Sequence, residues 1–69
     1  MELLSVVALL EDAPGDGLRC GQVGTVVEKL DEGVYEVEFS DDQGQTYASA
    51  ALKESQLIRL RYEPPSEAA

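Results

Sequence analysis

Apolar and polar residues alternate with a period of two along most of this chain, and the alternation breaks where glycine, proline and aspartate cluster. Leu4 to Glu11 is a run of leucine and β-branched residues ending in Glu11-Asp12, and it predicts a first strand. Asp12-Ala13-Pro14-Gly15-Asp16-Gly17 is dense turn chemistry, with Gly21 and Gly24 soon after. Gly24 to Leu30 predicts a second strand, and Asp31-Glu32-Gly33 a tight turn. Val34 to Ser40 then alternates without a fault. Tyr35, Val37 and Phe39 fall on one face and Glu36, Glu38 and Ser40 on the other, the pattern of a half-buried antiparallel strand.

The turns set the registers. With Glu32-Gly33 as the two central hairpin residues, Leu30 meets Tyr35, Val26 meets Phe39, and Lys29 meets Glu36 on the solvent side. A three-residue loop would instead set Glu28 opposite Glu36, so the first register is preferred, at the cost of leaving Val27 facing out, and a bulge would reconcile either register. A four-residue loop over Asp41-Asp42-Gln43-Gly44 sets Thr46, Ala48 and Ala50 opposite Phe39, Val37 and Tyr35. Small residues then face large ones, as a thin barrel requires, while Tyr47 and Ser49 lie outside beside Glu38 and Glu36.

Ala50 to Gln56 is rich in helix-favouring residues but too short for a stable free helix, so it predicts one helical turn around Lys53-Glu54-Ser55-Gln56. Leu57 to Leu60 would be a short closing strand. The expectation is an all-β, SH3-like, five-stranded barrel over residues 1–61, with 62–69, including Pro64-Pro65, as a flexible tail. The competing architecture is a three-stranded meander packed on one helix from Ala48 to Ile58.

Length and charge narrow the function. Sixty-nine residues make one small domain whose core leaves little room for a deep internal site. The chain has no histidine and a single cysteine, Cys20, which removes Cys/His zinc sites and the familiar histidine base. A lone cysteine closes no intramolecular disulfide, and the segment from Met1 lacks a basic, apolar export signal, so a cytoplasmic location is expected. The longest apolar run, Val6 to Leu10, has five residues, far short of the ~20 of a membrane span. The formal net charge is −9, and the five cations, Arg19, Lys29, Lys53, Arg59 and Arg61, are scattered, which opposes binding to phosphate backbones or anionic membranes and favours a basic protein surface.

The candidate chemistry is sparse. The glycines at 15, 17, 21 and 24 match no phosphate loop in spacing and lead into a strand, so they are read as turn and bulge residues. Asp41-Asp42 lacks the alternating oxygen ligands of a calcium loop. Glu36 and Glu38 share a strand face, but a catalytic pair needs a cleft to raise one pKa, and a solvated acidic face explains the same pattern. Cys20 beside Arg19 has neither a histidine nor a second cysteine to complete a site. No cofactor motif is present, and the chain is read as non-enzymatic. A proline-peptide groove lined by clustered aromatics is not expected from Tyr35, Phe39, Tyr47 and Tyr62.

Two resemblances follow from particular strings. Val6-Val7-Ala8-Leu9-Leu10-Glu11-Asp12, Gly17-Leu18, Gly21-Gln22-Val23-Gly24-Thr25-Val26-Val27-Glu28, Tyr35 to Phe39, Gln45 to Ala48, and Leu52 with Leu57 together resemble a family of short bacterial proteins known only as a domain of unknown function. That resemblance covers residues 3–60 and implies no activity. Gly21, Gly24 and Val26 also resemble the KOW motif of ribosomal and transcription-elongation proteins, which implies an SH3-like barrel. The basic RNA-facing loops of that motif are replaced here by Asp12, Asp16, Asp31, Glu32, Asp41 and Asp42, which argues against RNA binding. The function expected is a protein–protein interaction module, an acidic inhibitor or accessory subunit. Glu36, Glu38, Asp41 and Asp42 would steer a basic partner, and Tyr47 would anchor it. The alternative is RNA or ribosome association through Arg19, Arg59 and Arg61.

Overall fold

The structure, a computed structural model, describes residues 1–61. The expected tail, 62–69, lies outside the described residues. Five strands, β1 (Val6–Leu9), β2 (Val23–Asp31), β3 (Val34–Ser40), β4 (Thr46–Lys53) and β5 (Leu57–Arg59), form one antiparallel sheet in the order β4-β3-β2-β1-β5. Two 3-10 turns, Pro14–Asp16 and Glu54–Gln56, are the only helical pieces among the described residues. The protein is all-β, with a helical turn before the last strand. The helix considered for Ala48 to Ile58 does not form, because β4 takes its first half with Ala50 and Leu52 buried and Ala51 and Lys53 exposed. The expected closure of the barrel is not present in the pairing: β4 and β5 are the two ends of an open sheet.

The core is one face of that sheet. Val7 and Leu9 of β1, Val26 of β2, Tyr35, Val37 and Phe39 of β3, Ala50 and Leu52 of β4 and Leu57 of β5 form a single buried cluster. That face is covered, each of these residues being 5% exposed or less. The β1–β2 loop does part of that work, with Leu18 in the cluster and the first 3-10 turn lying against β4. An isolated bridge between Ala13 and Leu18 closes this excursion, and Gly17, at φ 72°, takes the left-handed position that ends the 3-10 turn.

Two registers depart from the expectation through bulges. The Glu32-Gly33 turn is as predicted, with Asp31 paired to Val34, but Leu30 is then an extra residue and Lys29 pairs with Tyr35. Glu28 therefore lies opposite Glu36, the arrangement the expected register avoided. Val27 is a second extra residue, which restores inward phase so that Val26 meets Val37 rather than Phe39, and Gly24 meets Phe39. In the next hairpin Tyr47 is the extra residue: Ser40 pairs with Thr46, while Phe39, Val37 and Tyr35 pair with Ala48, Ala50 and Leu52. Small-against-large packing survives for Phe39–Ala48 and Val37–Ala50, shifted from the expected pairs.

Candidate functional site

The outward face of β3 carries Glu36 and Glu38 because their neighbours Tyr35, Val37 and Phe39 are committed to the core. Across the ladders Glu36 lies between Glu28 of β2 and Ala51 of β4, and Glu38 between Thr25 and Ser49. The directly opposite β4 partners are small and uncharged, and Lys53, diagonal to Glu36 on the same face, forms no ion pair with it. Ion pairs among the described residues join Lys29 Nζ to Glu32 at 3.6 Å and the N-terminal ammonium to Glu54 at 3.8 Å. Neither involves Glu28, Glu36, Glu38, Asp41 or Asp42.

Beyond Ser40 the chain enters the β3–β4 turn. Asp41 organises it: its Oδ1 accepts hydrogen bonds from the amides of Gln43 and Gln45, both at 2.9 Å. The Gly44 amide donates to the Asp41 carbonyl at 3.0 Å, and Gly44 sits at φ 80°, which only glycine adopts without strain. One oxygen of Asp41 is thus a structural acceptor, whereas Asp42 at the tip is exposed. Ser40, Asp41, Asp42, Gln43 and Tyr47 line a shallow cleft at this end of the sheet.

Tyr47 does not stand beside Glu38 and Glu36 as expected. As the bulged residue it turns its ring toward Phe39, with centroids 6.5 Å apart and planes tilted by 45°. Its hydroxyl accepts a hydrogen bond from Gln22 Nε2 at 3.0 Å. Tyr47 is 49% exposed, so it is an aromatic with one side against Phe39 and one side open. The structure brings Tyr47 together with Asp41 and Asp42, and places Glu36 and Glu38 on the adjoining sheet face with Glu28. Gln22 and Glu28 were absent from the expected site. The like-charge register rejected on sequence pointed to Glu28, but nothing in the sequence pattern marks Gln22.

At the opposite end of β3, Tyr35 is buried and linked to the second 3-10 turn. Its hydroxyl accepts from the N-terminal ammonium at 2.7 Å and donates to Glu54 Oε1 at 3.3 Å. Burial, then the negative charge and hydrogen bond of Glu54, hold its pKa above the usual tyrosine value, against a smaller opposing effect of Lys29. Cys20 is exposed in the β1–β2 loop, where its amide donates to Asp12 Oδ1 at 2.9 Å. Arg19 is in that loop and Arg59 in β5, on separate elements. No three metal-ligating side chains are grouped among the described residues, and no helix there is long and apolar enough to cross a membrane.

Comparison with known proteins agrees with the family resemblance in the sequence. No curated protein and no solved structure gives a significant match. One family model, described as Domain of unknown function (DUF4926), matches residues 3–59, which spans every strand of the sheet. The chain belongs to the DUF4926 family.

Proposed function

We propose that this chain is a non-enzymatic protein–protein interaction module whose acidic outer surface steers a partner with a basic surface. The observation that carries this reading is the direct opposition of Glu28 and Glu36 on a face that also holds Glu38, with no cation paired to any of them. Like charges directly opposite across strands destabilise a sheet, so a cationic partner would gain from neutralising them. Asp42 and Tyr47 extend the surface around the β3–β4 turn. Glu28 and Glu38 are exposed and Glu36 half-buried on an open sheet face, and the cleft at the turn that Asp41 and Asp42 line is shallow, which favours contact over catalysis. Arg59 and Arg61 share the end of β5 while Arg19 lies in the β1–β2 loop, and among the described residues the structure groups no further cation with them into a basic patch, so no observation favours the RNA-binding alternative.

The strand order and the 3-10 turn ahead of β5 support a finer reading of the fold, an SH3-like barrel. In that reading the gap between β4 and β5 is filled by the β1–β2 loop instead of a ladder.

The test is capture of partners from the native host on the tagged chain, with and without ribonuclease, beside a Glu36→Lys, Glu38→Lys variant. One stoichiometric protein that survives ribonuclease and is lost by the variant is expected. Partners that disappear with ribonuclease, or that the variant retains in full, would overturn the reading.

A further inference from the structure

The acidic residues occupy only half of the outer face. The strand registers place Ile58, Ala8 and Val23 in one straight row across β5, β1 and β2. The neighbouring row runs through Val6, Thr25, Glu38 and Ser49, and Leu60 joins it by donating its amide to the Val6 carbonyl at 2.8 Å. Since Val7, Leu9, Val26 and Leu57 point into the core, these alternate residues point out. Val23 is 45% and Ile58 48% exposed. An apolar strip thus ends at Thr25, whose partner across the ladder is Glu38, with Glu36 one row further along β3 opposite Glu28. Three strand spacings of ~4.8 Å separate β5 from β3, a span of about 14 Å.

We propose that this face docks an amphipathic helix of another protein, one that carries lysine or arginine along one flank of its apolar stripe. This rests on the protein-contact reading above and names the kind of element the partner presents. Charge decides between occupants: a second copy would bring another −9 and oppose carboxylate to carboxylate. Backbone chemistry decides between elements. In mid-sheet the main-chain groups of β1, β2 and β3 are engaged with strands on both sides, so an incoming segment must satisfy its own backbone, as a helix does and a lone strand does not. A helix is about 10–12 Å across with its side chains, which fits the strip with its cationic flank over Glu36 and Glu38. The apolar anchor is then Ile58 and Val23, in addition to the Tyr47 anchor at the turn.

The test uses the full 15N-labelled chain and two synthetic amphipathic peptides of about four turns. They share a leucine stripe and differ only in a lysine or a glutamate flank. The lysine peptide should move the amide signals of Ala8, Val23, Ile58, Glu36 and Glu38, and the glutamate peptide should not bind. Ile58→Ser and Val23→Ser, each at a residue outside the core cluster, should weaken the lysine peptide roughly tenfold while leaving the rest of the spectrum in place. Shifts confined to Asp41, Asp42 and Tyr47 would overturn helix docking while leaving the acidic-contact reading standing. Equal binding of both peptides, or none of the lysine peptide at low salt, would also overturn it. So would a dimer, seen in sedimentation, that Ile58→Ser dissolves.

Discussion

Glu36 shows how one position can cost stability and remain in place. Its carboxylate faces that of Glu28 across the β2–β3 ladder, and no ion pair relieves either one. Glu36→Gln should therefore stabilise the fold by roughly 0.2–1 kcal/mol, and added salt should narrow the difference. Urea midpoints of both proteins at low and high salt check this; an unchanged or lower midpoint for the variant would show that the two charges do not meet. Gly24 is constrained in the opposite sense. A Cβ there would come within 2.7 Å of Val37 Cγ1 and 2.8 Å of the Glu38 carbonyl oxygen. Gly24→Ala should cost roughly 1–3 kcal/mol by overpacking, because one obstacle is backbone and cannot rotate away. A urea midpoint equal to that of the parent would contradict this close approach.

The elements differ in how far local pattern decides them. β3 was legible because every second residue from Tyr35 to Phe39 is large and apolar and every intervening one polar, a pattern that only one face assignment satisfies. The two hairpin turns were equally legible from Gly33 and Gly44. A bulge in the first hairpin was open on sequence, but the positions of the bulges at Val27, Leu30 and Tyr47 were not legible, because an extra residue leaves no mark on composition and is decided by what the opposite strand must bury. That is why Glu28 fell opposite Glu36 and why Tyr47 packs on Phe39, neither of which strict alternation predicts. Tyr35 ties β3 to the turn before β5, and its raised pKa makes that tie sensitive to alkali. The folded state holds the phenol proton more tightly than the unfolded chain, so the contribution is complete below the ordinary tyrosine value of about 10 and is lost as pH climbs through the higher folded value. Tyr35→Phe should flatten the loss of stability above pH ~10 relative to the parent. Identical alkaline profiles for the two proteins would sever Tyr35 from that loss.

In the whole molecule, one face of the open sheet is buried as the core, with Leu18 of the β1–β2 loop packed into it, and the other face is the outer one. Closure of the sheet was expected from the run of short strands and tight turns, but pairing beyond β4 and β5 depends on long-range geometry that no local pattern encodes. The division of the outer face into an acidic and an apolar half arises from register, so it too was invisible before the strands were aligned. The most direct measurement of the central claim is the association rate with the protein that the tagged chain captures, read against ionic strength for the parent and for Glu36→Lys, Glu38→Lys. Steering by this face predicts a parent rate that falls as salt rises, and a variant that associates at least tenfold more slowly with a flattened salt dependence. Equal rates and equal slopes for the two proteins would contradict it.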